Sequence, residues 1–282
     1  MDGLATNGAA AALKERQLEA WLREQSSVLV GYSGGVDSAY LACVARDTLG
    51  REKMLAVVGR SAAYPQQQWD HAVAVAERFD LPLVDLPTDE LENPLYAANP
   101  TNRCFHCKTV LWSTLRPMAA ARGLAVVVDG TNADDLADFR PGHRAAHEHG
   151  VRSPLAEIGL TKSEIRALSR RRGIPGWSNP SSPCLASRLP YGFAVTAERL
   201  AQVERAEAAV RALGIGGDMR VRHHGDLARV ELQQDELRRW LAPAARRALR
   251  QALLASGFKR VALDLRGFRS GSLNVLGGVT AT

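Results

Sequence analysis

The stretch "VLVGYSGGVDSAYLA", Val28 to Ala42, decides the fold. "VLVGY" is a short β-rich apolar run, and from Asp37 onward the residues favour a helix. Between them Ser33-Gly34-Gly35-Val36-Asp37-Ser38 joins strand to helix. Two glycines let the backbone turn tightly and bring bare N–H groups to an anion. A helix opening near Asp37 or Ser38 points its positive end at the same spot. The hydroxyls of Ser33 and Ser38 add donors. Such a loop suits a pyrophosphate. It lacks the "GK[ST]" ending of a Walker loop and the G-x-G-x-x-G of a dinucleotide fingerprint.

Working outward, "KERQLEAWLREQ" before this stretch has helical spacing of Leu18, Trp21 and Leu22, after a lead-in that reads as frayed. Beyond it, "KMLAVVGR" and "LPLVDL" read as strands separated by the helix "PQQQWDHAVAVAERF". A helical stretch between Asn99 and Gly123 precedes the strand "LAVVVDG". Strands alternating with helices imply an α/β fold with a parallel sheet covered on both faces, placed at residues 15–180. After Gly192 the pattern changes. "TAERLAQVERAEAAVRALG" is a capped amphipathic helix, "DMRVRHHGDLARVEL" reads strand, turn, strand, and a helix and a strand follow. That order predicts a small α+β domain over residues 181–270, containing an antiparallel hairpin. The last twelve residues read as loose or as a short closing strand.

The chain has 282 residues, 46% hydrophobic and 23% charged, in the range of a soluble globular protein. No apolar run reaches the roughly 20 residues of a membrane helix, and the start has no basic n-region, so the expected location is cytoplasmic, with no membrane partner. The net charge of +6 favours anionic partners, although the arginine runs at 170–172, 238–239 and 246–247 read first as solvated helix faces. Four cysteines without a secretion signal argue against a disulfide scaffold.

In a parallel sheet, ligands sit at the carboxyl ends of the strands. Arg60 and Ser61 follow the second strand, and Asp129-Gly130-Thr131-Asn132 a later one. Asp134, Asp135 and Asp138 come next, either near Mg²⁺ or as helix caps, and Arg140 closes the segment. "NRCFHCK" gives Cys104 and Cys107 in C-x-x-C spacing, and Cys184 lies far downstream in "PCLASRLPYG". Three thiols meeting would suit an iron–sulfur cluster with one open iron or a zinc site with His106, and three unrelated thiols is the plain alternative. Cys43 lies on the apolar side of its helix and reads as a buried inert thiol. The His143/His147 pair and the His223/His224 pair read as exposed residues on a helix and at a turn.

The Ser33–Ser38 loop resembles the PP-loop of ATP pyrophosphatases, of the adenine nucleotide alpha-hydrolase-like fold. Together "YSGGVDS", "NRCFHCK", "DGTNADDLADFRPG", "PCLASRLPYG" and "RVRHHGDLARVEL" resemble the LarE family of pyridinium-3,5-biscarboxylic acid mononucleotide sulfurtransferases, over about Val28 to Leu265. That resemblance implies ATP and Mg²⁺ as cofactors, adenylation of a carboxylate of the small-molecule pyridinium mononucleotide, and displacement of AMP by sulfur, in making the nickel-pincer nucleotide. It implies ATP contacts from Ser33, Gly34, Gly35, Asp37, Ser38, Arg60, Ser61, Gly130 and Thr131. In one branch of the family the cysteine matching Cys184 gives up its own sulfur. In the other, three cysteines hold a [4Fe–4S] cluster that delivers sulfide from a separate donor. Cys104, Cys107 and Cys184 match the second pattern, with Lys108 and Arg188 supplying positive charge to the sulfur. A homo-oligomer is also expected.

Alternation along the hairpin puts Arg220, Arg222, Arg229 and Glu231 on one polar face, suited to gripping a phosphate and a carboxylate. The resemblance assigns Arg220, Arg222 and Ser187 to the substrate and Glu207, Glu231 and Asp37 to a divalent cation. Two other enzyme classes compete: a tRNA-thiolating PP-loop enzyme and an amide synthetase of the NAD or GMP type. The first needs aromatics interleaved with basic residues, which the hairpin lacks, so nucleic acid is not the expected partner. The second leaves the three cysteines idle.

Overall fold

A computed structural model describes residues 2–137, 141–180 and 182–269. Asp138, Arg140 and the expected closing strand in the last twelve residues lie outside these. The first helix, α1, runs Asp2–Gln25 and so includes the segment expected to fray. Four consecutive alanines, Ala9 to Ala12, are strong helix formers. Leu18 and Leu22, one turn apart, are fully buried on the same face.

From there the chain alternates as expected: β1 Val28–Gly31, α2 Val36–Leu49, β2 Met54–Arg60, α3 Gln66–Arg78, β3 Leu83–Pro87. Then come the short α4 Pro94–Ala97, α5 Arg103–Ala121, β4 Val126–Asp129, α6 Pro141–Glu148, α7 Pro154–Glu157 and α8 Lys162–Arg171. The four strands are parallel, in the order β3-β2-β1-β4. β1 is buried on both faces. Val28 and Val30 point into a core shared with α2 and α8, and Leu29 into a second core with Trp112 of α5. That two-sided burial is why "VLV" has no polar alternation. The chain builds β1, β2 and β3 outward to one edge, then crosses back to lay β4 on the other side of β1. The loops after β1 and β4 therefore flank the crevice where the order reverses.

The second sheet is smaller. β5 Met219–His224 and β6 Leu227–Leu232 are antiparallel, and β7 Arg260–Leu263 lies parallel to β6. α9 Ala197–Ala212, α10 Gln234–Leu241 and α11 Pro243–Ala255 pack on it through Val210, Leu237, Trp240, Leu249 and Leu253. The sequence reading missed α10, because "QDELRRWL" buries only Leu237 and Trp240 and otherwise looks like a polar loop. Its acids come first and its arginines last, as the helix dipole favours. The reading also put His223 and His224 at a turn. Both lie in β5, and His223 is buried against Phe258 and Gln202. The turn is made by Gly225, at φ +65°. A small apolar cluster joins the two sheets' surroundings: Ala63 and Tyr96 from the first meet Leu185, Leu189 and Val203 from the second.

Candidate active site

The Ser33–Ser38 loop is held open for an anion by its own side chains. Ser33 N donates to Ser38 Oγ (3.1 Å), and Ser38 Oγ donates to Gly35 O (3.1 Å). Gly34 has φ +68°, and a Cβ there would lie 2.8 Å from Ala72 Cβ, so no other residue fits. Gly35 caps α2, whose free N–H groups face the loop. The wall opposite is Gly130. A Cβ on it would lie 2.8 Å from Ser38 N and 2.9 Å from Ser38 Cα, so the loops after β1 and β4 touch backbone to backbone. Asp129 makes this turn rigid by accepting from Thr131 N (3.1 Å), Thr131 Oγ1 (3.0 Å) and Ser153 Oγ (2.7 Å). Asn132 caps the turn that follows, accepting from Asp134 N and Asp135 N, while Asp134 accepts from Lys162 N. Both described aspartates are thus bonded within the loop system.

Asp37, in the first turn of α2, is paired with Lys162. Burial pushes its carboxyl above the ordinary aspartate range, and Lys162 pulls the other way. The sequence reading did not single out Lys162. Its signal was the capping box Thr161-x-x-Glu164, which starts α8 beside the crevice.

At the ends of β2 and β3 lies a cavity of about 410 Å³, lined by Arg60, Ser61, Tyr64, Thr88, Asp89 and Glu204. Its size suits a nucleoside. Arg60 stacks on Trp69 (4.7 Å) and pairs with Asp85 (3.1 Å). Ser61 Oγ donates to the buried Glu90 (2.6 Å) and accepts from Ala63 N (3.2 Å). Glu204 reaches in from α9 and accepts from Gln66 N (2.6 Å) at the start of α3.

The thiols lie beside this cavity. Cys104 and Cys107 share one face of the first turns of α5. Cys184 precedes a 3₁₀ turn, Leu185–Arg188, and Leu185 N donates to Ala63 O (2.8 Å), pinning that loop to the one after β2. Cys107 and Cys184 pack on the same cluster, which includes Ala63 and Leu185. Burial raises the Cys107 thiol, and Glu90, 3.8 Å from its sulfur, adds to this. The protein around Cys104 raises it too, against the pull of Arg103. Lys108 opposes the rise at both, and also sits over Trp112 at 4.9 Å. Arg103 is a functional group the sequence reading missed: it is buried, bonded to Asn99 Oδ1 and to Ala186 O (3.2 Å), and so joins α5 to the Cys184 loop. The signal was an arginine directly before Cys104. Cys43 is buried, and burial pushes its thiol up to about 12, as an inert thiol requires. Among the described residues, no three His, Cys, Asp or Glu side chains are arranged to hold a metal ion.

Arg188 acts on the loop's backbone. Its Nη1 donates to Pro183 O, Cys184 O (3.1 Å) and Ser187 Oγ (3.1 Å), and its Nε and Nη2 donate to Glu207 at 2.9 Å each. The hairpin has the register that alternation requires, Arg220 opposite Glu231 and Arg222 opposite Arg229. This polar face is buried, not solvated. Arg222 donates to Glu231 (2.7 and 3.0 Å) and to Ser187 O (2.9 Å), and Arg229 donates to Glu231 (2.8 Å). Burial, then Arg188, pulls the Arg220 guanidinium down to about 10, so it stays charged at neutral pH. Burial would raise the Glu207 carboxyl, but Arg188 and Val221 N carry it below the usual range. Both glutamates, assigned to a divalent cation by resemblance, bind guanidinium groups here.

A parallel sheet with this glycine loop at its switch point defines a nucleotide-using enzyme of the PP-loop class. The NAD synthase family pattern matches residues 14–102, and the NH₃-dependent NAD⁺ synthetase of Pyrococcus horikoshii is 29% identical over 57% of this chain and 63% of its own. The likeness to two other proteins runs the whole length. An uncharacterized protein of Synechocystis sp. is 42% identical over 93% of this chain and 97% of its own. The pyridinium-3,5-bisthiocarboxylic acid mononucleotide synthase of Lactiplantibacillus plantarum is 36% identical over 93% and 94%. The chain belongs to the LarE family of that synthase and is an ATP-dependent sulfurtransferase. No helix among the described residues is long and apolar enough to cross a membrane.

Proposed function

We propose that this chain uses ATP and Mg²⁺ to adenylate a carboxylate of pyridinium-3,5-biscarboxylic acid mononucleotide, then replaces AMP with sulfur to give a thiocarboxylate, in building the nickel-pincer nucleotide. A carboxylate oxygen attacks the α-phosphorus and pyrophosphate departs. A sulfur nucleophile then adds to the carbonyl and AMP leaves with its oxygen. Activation followed by capture divides one hard step into two. The Ser33–Ser38 amides and the start of α2 hold the departing pyrophosphate. The cavity beside Arg60 and Ser61 takes the nucleoside. Arg220 and Arg222 bind anionic groups of the mononucleotide, with Ser187 beside them. The division near residue 180 into a nucleotide domain and a substrate domain belongs to this reading.

The observation that carries it is the bond between Leu185 N and Ala63 O, which seats the Cys184 loop on the edge of the nucleotide cavity. Three thiols on two elements, with Arg103 and Lys108 near Cys104, are soft donors of the kind a [4Fe–4S] cluster takes once they are drawn together and deprotonated. Cys104, Cys107 and Cys184 would hold it, and when bound it would supply an open iron for an added sulfide. Metal binding would take the thiolate form, toward which Arg103 and Lys108 pull Cys104 and Lys108 pulls Cys107, against burial.

The test is anaerobic turnover with ATP, the mononucleotide and sulfide. AMP and thiocarboxylate should form in equal amounts, with the protein's mass unchanged. Loss of one sulfur at Cys184 would instead assign the sacrificial route. Full activity in Cys104→Ala would remove the cluster. Amide formation with ammonia, or thiolation of tRNA, would overturn the reading as a whole.

A further inference from the structure

Beyond β7 the chain turns back along the hairpin. Asp264 N donates to Val230 O (2.8 Å) and Phe268 N to Leu232 O (2.6 Å), so residues 264–268 are bonded to β6 at both ends. Between them Gly267 takes φ +71°, and a Cβ there would lie 3.0 Å from Leu232 O. The Asp264 carboxylate accepts from Arg266 N (2.9 Å) and closes the turn. The backbone that bears the Phe268 ring is therefore held against β6. Its centroid is 4.9 Å from the Arg220 guanidinium carbon.

A guanidinium offers its faces to rings and its edge to oxyanions. Arg188 and Arg222 are each fixed by two close contacts to one carboxylate. Arg220 is held differently. It is buried, its Nη1 donates to the Met219 carbonyl (2.7 Å), Asp218 stands off at 3.9 Å, and Phe268 covers one face. The ring and the carbonyl are two of the contacts that restrain the group.

We propose that Phe268 is a positioning residue for substrate binding: by covering one face of Arg220, it holds that guanidinium edge-on to a phosphate or carboxylate of the mononucleotide. This rests on the assignment of Arg220 to the substrate. The ring's effect falls on mononucleotide affinity and not on ATP use.

The experiment compares Phe268→Leu, Phe268→Trp and Arg220→Gln in the full chain. Affinity for the pyridinium dicarboxylate mononucleotide is measured by calorimetry, with KM, kcat and melting temperature alongside. Leu keeps the apolar bulk and loses the π face; Trp keeps both. Phe268→Leu should weaken affinity and raise KM for the mononucleotide about tenfold. Its KM for ATP and its kcat should stay within about twofold of wild type, and Phe268→Trp should recover most of the loss. If Phe268→Leu binds normally while Arg220→Gln does not, the proposal is wrong and the assignment of Arg220 stands. If Arg220→Gln binds normally, the assignment fails and takes the proposal with it. If Leu and Trp are equally impaired for both substrates and melt early, the ring is core filling and the proposal is overturned.

Discussion

Arg188→Met removes the guanidinium that joins the Cys184 loop to α9. Arg188 is 2% exposed and Glu207 7%, and the two share a bidentate pair at 2.9 Å. Removing one partner of a buried pair leaves an uncompensated charge, which costs about 3–5 kcal/mol. The carbonyls of Pro183 and Cys184 also lose a donor, at about 1 kcal/mol each. The sum is roughly 5–7 kcal/mol, or a fall in Tm of about 10–28 °C for a chain of this size. Arg188→Met/Glu207→Met should recover most of it, because an apolar pair can replace a buried ion pair at little loss. Acidity separates charge from packing. In the wild type the Glu207 carboxyl lies below the usual range, so its contribution is present above the unfolded value of about 4.3 and is lost as pH falls through the folded one. In Arg188→Met the strongest opposing charge is gone, burial favours the neutral acid, and only Val221 N and Arg220 still oppose it. The native state then binds the proton more readily than the unfolded chain, and the deficit should shrink as pH drops from 7 toward 5. Thermal unfolding across that range is the assay. A variant melting within about 2 °C of wild type at pH 7, or a deficit that grows on acidification, would refute this account.

Three further outcomes are expected. Gly130→Ala forces a methyl against Ser38 N, so pyrophosphate release should fall by about a hundredfold or more, with a stability loss of about 1–3 kcal/mol; normal release would show that the β1 and β4 loops are not coupled. Lys162→Ala removes the cation that restrains Asp37, so the acidic limb of the pH–rate profile for AMP formation should move to higher pH; an unmoved limb would free Asp37 of any part in it. Glu90→Gln removes a charge that disfavours the Cys107 thiolate, so in metal-free protein Cys107 should be alkylated faster at a fixed pH, as read by peptide mass spectrometry; an equal rate would refute the coupling.

The sheet was legible because its strands leave no ambiguity. Their centres, "VLV", "MLAVV" and "LAVVV", are apolar throughout, separated by glycines and helical spacing. The glycine loop was legible because backbone conformation there depends on residue type. Burial of polar groups was not legible. The alternation of Arg220, Arg222 and Glu231 marks a shared polar face suited to anions, but not that the packing of α9 and the 185–188 turn buries it. The parts of Arg103, Lys162 and Glu90 depend on segments far apart in the chain, such as Arg103 with Ala186, and local pattern contains no trace of such meetings. α10 was missed for a related reason, since two apolar residues in eight fall short of a visible stripe.

The acyl adenylate of the proposed reaction is a mixed anhydride, which surrounding water also hydrolyses. The edge of the cavity beside Arg60 is formed by Glu204 of α9, and the Leu185–Ala63 bond seats the sulfur-bearing loop against the same opening. On the proposed reading, shelter from hydrolysis and delivery of the nucleophile would both depend on one contact. Were that contact to part, the activated acid would be left to solvent and the ATP spent without product.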